Sequence, residues 1–148
     1  MLKLSTKSRY GLRAVYDLAR RYGEGPVRLK DVAESQGLSE QYLEQLFLGL
    51  RRYGLVRSVR GSRGGYMLGR PPGEITVGDV VRALEGPIAP VDCVSEEQPE
   101  DCQRADYCVA RLIWARLRGA IAEVLDSVTL ADMCASTEGA KSEEERRY

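Results

Sequence analysis

The chain has 148 residues, 43% hydrophobic and 30% charged, with 22 lysines and arginines against 22 aspartates and glutamates. That is a globular composition; the apolar runs are too short to span a membrane, and the basic start lacks the apolar stretch of a secretory signal. The charge is unevenly spread, with 14 basic and 6 acidic residues in 1–70 and 8 basic and 16 acidic in 71–148, which suggests a nucleic-acid contact on the basic half.

Leu12, Val15, Leu18, Ala19 and Tyr22 recur at helical spacing and predict a first helix over 6–22. Ser5 or Thr6 supplies its cap, and Gly23 and Gly25-Pro26 stop it. A second helix runs from Leu29 to Gln36, with Leu29, Val32 and Ala33 inward and Gly37 at the left-handed C′ position. Ser39 then caps a third helix over 40–53, whose apolar stripe is Leu43, Leu46, Phe47 and Leu50. Residues 55–59 alternate and are β-branched, and read as a strand. The glycine-rich turn 60–65 follows, and Tyr66-Met67-Leu68 returns as a second strand. Thr76 and Asp79 form a capping pattern for a helix over 76–85. An acidic loop holds Cys93 and Cys102 and runs to about Arg104. A long helix is predicted over 105–127, with Cys108 in its first turn. Its stripe is Val109, Ile113, Leu117, Ala120, Ile121, Val124 and Val128. Thr129 and Asp132 open a last short helix, and the Ser-, Glu- and Arg-rich tail from Ala135 is expected to be disordered.

Three helices and a hairpin within about 70 residues make a winged helix-turn-helix. The fold class is therefore mainly α with a small β-hairpin wing. Its third helix would enter the major groove by the N-terminal end. That end presents Ser39, Glu40, Gln41, Tyr42, Glu44 and Gln45; glutamine reads adenine and glutamate accepts from cytosine. The wing tip carries Arg60, Ser62, Arg63, Gly64, Gly65 and Tyr66. Its glycines allow close approach to a duplex, and arginine favours a narrow minor groove. The turn lacks the spacing of a phosphate-binding loop.

The sequence contains no histidine, so no histidine-based triad, general base or imidazole ligand exists in this chain, and an enzyme is not expected. Cys93, Cys102 and Cys108 lie in one acidic stretch that reads poorly as core. Two of them on a loop can fold back on the third, whose thiolate gains from a helix start. Three soft sulfur donors suit zinc or an iron–sulfur cluster. Cys134 follows Leu130 and Met133 and reads as a packing residue, and Tyr107 and Trp114 as core or dimer packing.

Residues 38–69, LSEQYLEQLFLGLRRYGLVRSVRGSRGGYMLG, closely resemble the IscR/NsrR/CymR family of bacterial winged-helix regulators. Lys7-Ser8-Arg9-Tyr10-Gly11, residues 75–80, the cysteine trio and residues 128–132 extend the likeness over about 1–134. The resemblance implies a cytoplasmic homodimer on palindromic double-stranded promoter DNA. It adds Ser5, Lys7, Arg9 and Tyr10 of the first helix to the DNA contact, gives Glu44 a role in base discrimination and places Arg60 in the minor groove. It also implies an iron–sulfur cluster on Cys93, Cys102 and Cys108, with 2Fe–2S favoured over 4Fe–4S. In IscR-like members a histidine completes the ligand set, and Arg111 stands at that position here. In NsrR-like members an acidic residue of the partner's first helix does so, and Arg9 stands there; the fourth ligand is therefore open. The resemblance divides the chain into a DNA-binding domain (1–70), a connecting helix and cluster loop (71–104), a dimerisation helix with a terminal short helix (105–134) and the tail (135–148). The alternatives are a cluster-free, CymR-like regulator controlled by a protein partner, such as a cysteine-synthesis or cluster-assembly protein, and a zinc-structured module.

Overall fold

A computed structural model describes residues 3–97 and 99–136. Its elements are α1 (Thr6–Arg20), α2 (Leu29–Gln36), α3 (Glu40–Arg52), β1 (Val56–Val59), β2 (Gly65–Leu68), α4 (Val77–Glu85) and α5 (Val109–Asp126), followed by α6 over 130–136. Short 3-10 turns lie at Pro72–Glu74 and Asp92–Val94.

Local signals set most of these bounds. The Ser5 hydroxyl accepts the Ser8 N–H at the start of α1, and Ser39 does the same for Tyr42 in α3 at 3.1 Å, satisfying donors that a helix start leaves open. Gly37 ends α2 in the left-handed region at φ 65°, which turns the chain sharply into α3. The first helix stops at Arg20, two residues before its expected end, because Arg21 and Tyr22 bond back to Leu18 and Ala19 as turns.

β1 and β2 pair antiparallel, with Val56 opposite Leu68 and Val59 opposite Gly65. Val27 adds a bridge to β2: its N–H donates to Tyr66 O at 2.9 Å, and Tyr66 N–H donates to Val27 O at 2.8 Å. Gly65 makes this approach possible, since an added Cβ would overlap the Val27 carbonyl.

One core joins the winged helix-turn-helix to α4 and α6. Val15, Leu43, Phe47, Leu50, Leu55, Ile75, Val80 and Leu130 are completely buried within it. α4 packs on α1 and α3, meeting α1 where Gly11 leaves room only for the Leu84 side chain.

The long helix departs from expectation at its start. It begins at Val109, and Cys108 is its N-cap rather than a first-turn residue. Turn bonds from Ala105 N–H to Cys102 O and from Tyr107 N–H to Arg104 O occupy residues 102–107 instead. Its apolar stripe is also largely uncovered: Val109 is 75% exposed, Ile113 56% and Val124 64%. Tyr107 and Trp114 are exposed as well, so neither is a core residue of the single chain. Residues 135 and 136, expected in the tail, belong to α6; the rest of that tail, 137–148, lies outside the described residues.

Candidate nucleic-acid interface and cysteine segment

α3 sorts its side chains by face. Leu43, Leu46, Phe47 and Leu50 anchor it in the core, while Glu40, Gln41, Glu44 and Gln45 are exposed. Gln41, Glu44 and Gln45 line a groove of about 360 Å³ with Leu48, Arg51 and Tyr66. Arg51 is a cation that the sequence reading missed; only its place one helical turn beyond Leu48 on the outward side signals it. Tyr42 is turned partly inward, edge-on to Tyr10 at 6.4 Å between ring centroids, so both tyrosines brace α3 against α1.

Lys7 and Arg9 are exposed on α1. Ser5 is exposed too, but its hydroxyl caps the helix and its N–H donates to Glu85 Oε1 at 2.8 Å. Arg9 and Arg13 lie 6.0 and 5.6 Å from the Tyr10 ring centroid, within range of a cation–π attraction.

On the wing, Arg60, Ser62 and Arg63 are exposed. Gly64 is buried, and Tyr66 packs on Phe47 at 4.7 Å between centroids. These two, with Gly65, form the base of the wing, while the arginines occupy its tip. Arg28, also missed in the sequence, donates from Nη2 to Ser62 O at 3.3 Å and holds the tip down.

A second polar network pins α1 to α2. Asp17 is 1% exposed; its carboxylate accepts from Arg20 at 2.7 Å and from Gln36 Nε2 at 3.1 Å, and Gln36 Oε1 accepts from Arg13 Nε at 2.9 Å. Burial pushes the Asp17 carboxyl up, but hydrogen bonds from Ser35, Gln36 and Arg20 prevail and hold it below the usual carboxylate range.

Cys93 is half-buried in the 3-10 turn, Cys102 is exposed and Cys108 is half-buried at the α5 cap, all as free thiols. The turn that holds Cys93 packs on α5. The donor chemistry suits a sulfur-ligated metal centre. The geometry does not gather it: among the described residues no three cysteine, aspartate or glutamate side chains lie together as a metal-binding group. Arg111, at the position of the resembled histidine ligand, has a buried Nε without a hydrogen-bond partner and cannot donate electrons to a metal. Cys134 packs against the core, as expected.

Behind this segment lies Arg82 of α4. Its Nε and Nη2 donate to Glu96 at 3.0 and 2.8 Å, and its Nη1 and Nη2 to Asp126 at 2.6 and 2.9 Å. The guanidinium holds both carboxyls below their ordinary range, and they in turn make Arg82 a still weaker acid.

A capped recognition helix, a cationic wing and a basic first helix on one body define a winged helix-turn-helix DNA-binding regulator of transcription. The model of the Rrf2 family, described as an iron-dependent transcriptional regulator, matches residues 4–136. The chain belongs to the Rrf2 family. It is 49% identical to the transcriptional regulator CymR of Bacillus subtilis (strain 168) over 138 residues, 93% of this chain and 94% of that one. It is 41% identical to the regulator IscR of Sodalis glossinidius, over 93% of this chain and 81% of the relative. The solved structure of T. potens IscR superposes with a TM-score of 0.77 at 50% identity, covering 94% of this chain and 90% of the other. These relatives are regulators and not enzymes. No helix among the described residues is long and apolar enough to cross a membrane.

Proposed function

We propose that the chain is a cytoplasmic, homodimeric regulator that binds palindromic promoter DNA, and that an iron–sulfur cluster on Cys93, Cys102 and Cys108 modulates that binding. The DNA half is carried by the exposed row Glu40, Gln41, Glu44 and Gln45 beside the wing arginines Arg60 and Arg63. Such a row reads base edges while arginines engage phosphate and minor groove. The dimer is supported by the uncovered side of α5 and by the apolar groove of about 560 Å³ that runs from Leu4 and Ile88 to Leu117 and Ile121. Two copies would present two recognition helices about 34 Å apart, one turn of duplex.

The cluster is supported by the three free thiols and by the iron-dependent description of the family. Likeness to IscR-type regulators favours 2Fe–2S. Cys93, Cys102 and Cys108 are the residues that would hold it, and with Arg111 in the fourth position the remaining ligand comes from outside the trio. A bound cluster supplies a redox-active, charge-bearing group on the segment.

One observation favours a second reading, a cluster-free regulator controlled by a protein partner: the thiols are not assembled in the single chain. Anaerobic purification with a visible spectrum and an iron, sulfide and zinc assay separates the readings. Iron and sulfide with charge-transfer absorption, and a DNA affinity that changes when they are removed, support the cluster. A colourless zinc protein means a zinc-structured module. A metal-free protein that binds DNA points to the protein partner, with cysteine-synthesis or cluster-assembly proteins the first to assay.

A further inference from the structure

Residues 88–96 form a closed ring. Ile88 N–H donates to Glu96 Oε2 at 2.8 Å, and Glu96 N–H donates to Ile88 O at 3.3 Å. Cys93 lies inside this ring. Two arginines fix the ring from outside: Arg118 of α5 donates to Val94 O at 3.0 Å, and Arg82 of α4 takes both oxygens of Glu96. The same Arg82 takes both oxygens of Asp126, the last residue of α5. Its side chain is only 18% exposed. Asp126 also sits directly over Gly78, where any Cβ would displace it. Three parts of the molecule, the cysteine-bearing ring, the end of α5 and α4, therefore meet on one guanidinium. α4 itself packs on α3, the recognition helix.

We propose that Arg82 is the positioning residue that passes the posture of the Cys93 ring to the recognition helix. This rests on the reading that DNA binding answers to the cysteine segment. The physical reason is the fork geometry of arginine. One planar guanidinium holds both oxygens of each of two carboxylates through fixed, paired N–H groups, a geometry that the point-like lysine ammonium does not reproduce. A partly buried charge that loses one partner is costly to leave uncompensated. Displacement of Glu96 with the ring is therefore not absorbed locally; Arg82 follows it or re-pairs, and α4 shifts against α3. Whatever acts on Cys93, metal or partner, meets the same linkage.

The test uses the full-length chain with Glu96→Gln, which keeps an acceptor for the Ile88 N–H, and Arg82→Lys. Hydrogen–deuterium exchange is followed by mass spectrometry, together with affinity for a duplex selected by the wild-type protein from a random library. The expected result for both variants is faster exchange in 88–96, in α4 and in α3, with helix content and oligomeric state unchanged. Duplex affinity should shift by about fivefold or more, the scale of a modest coupling. Faster exchange confined to 86–97, or unchanged affinity, overturns the proposal. If Arg82→Lys loses helix content, Glu96→Gln alone decides. If the wild type selects no duplex, the DNA reading fails, and the spread of exchange into α3 still judges the linkage.

Discussion

Thr76 and Thr129 face each other across an isolated antiparallel bridge, and each caps a helix with a reciprocal pair of hydrogen bonds. Thr76 and Asp79 exchange bonds of 3.0 and 2.9 Å, and Thr129 and Asp132 exchange bonds of 3.1 and 2.9 Å. Between them Val77 N–H donates to Val128 O and Leu130 N–H to Ile75 O, both at 2.9 Å. Two helix starts far apart in sequence are thereby joined back to back, over the buried Ile75 and Leu130.

Thr129→Ala should cost about 1 kcal/mol of stability, the ordinary worth of such a cap. The double variant with Thr76→Ala should depart from additivity, because the two caps share the bridge. Urea denaturation of the four proteins checks this. Costs that add to within about 0.3 kcal/mol would show the caps to be independent.

Asp17 makes stability depend on pH in a defined direction. Its carboxyl is held below the ordinary value in the folded chain. Its contribution is therefore present above the unfolded value of about 3.9 and is lost as pH falls through the lower folded value. Asp17→Asn should melt well below wild type at pH 7, and the gap should close as pH drops below about 4. Thermal melts at several pH values read this directly. A gap that does not change with pH would mean that the ionised carboxylate contributes nothing.

Arg63→Ala and Lys7→Ala should weaken binding to all duplexes alike and reduce the slope of log affinity against log salt by about one unit per lost phosphate contact. Glu44→Ala should leave that slope unchanged and alter which bases are selected. Salt titrations and a binding-site selection separate the two classes. A uniform loss for Glu44→Ala would remove it from base reading.

Leu112 and Ile113 are 69% and 56% exposed in the single chain. Replacing both with glutamate should convert a dimer to a 16.5 kDa monomer while helix content and the winged domain persist. Light scattering and circular dichroism check this. A wild-type protein that is already monomeric at micromolar concentration would remove α5 as the dimer contact.

Much of the winged domain was legible because its boundaries are local. Ser39, Gly37 and the Thr76/Asp79 pair announce helix ends within four residues, and the 55–59 alternation announces a strand. The start of α5 was misplaced because no such signal exists there; the helix has neither a side-chain cap nor an acidic first turn. The joint at Thr76 and Thr129, the Asp17 network and the Arg82 fork link segments whose spacing follows no period. A charged residue in sequence gives no sign of being buried. At the site, the exposed row on α3 and the wing arginines were readable from polarity. Arg28 was not, because only the folded wing brings it to that surface, and Arg51 was signalled only by its place one helical turn beyond Leu48. The cysteines were readable as a donor set, yet their separation in the fold was not, since it follows from turns at 102–107 that their spacing does not encode.

Val27 adds one isolated bridge to the edge of a two-stranded hairpin. A two-stranded ribbon is marginal alone in water, whereas here Val27 pairs with β2 and Arg28 fastens the loop at Ser62. The entropy of ordering the wing is thus settled when the domain folds. Under the proposed function, what DNA would still have to immobilise on the wing is chiefly the exposed side chains of Arg60 and Arg63, at roughly 0.5–1.5 kcal/mol each. Under that function, a wing of fixed shape would add to base reading by α3 a preference, through Arg60, for duplexes whose minor groove narrows readily.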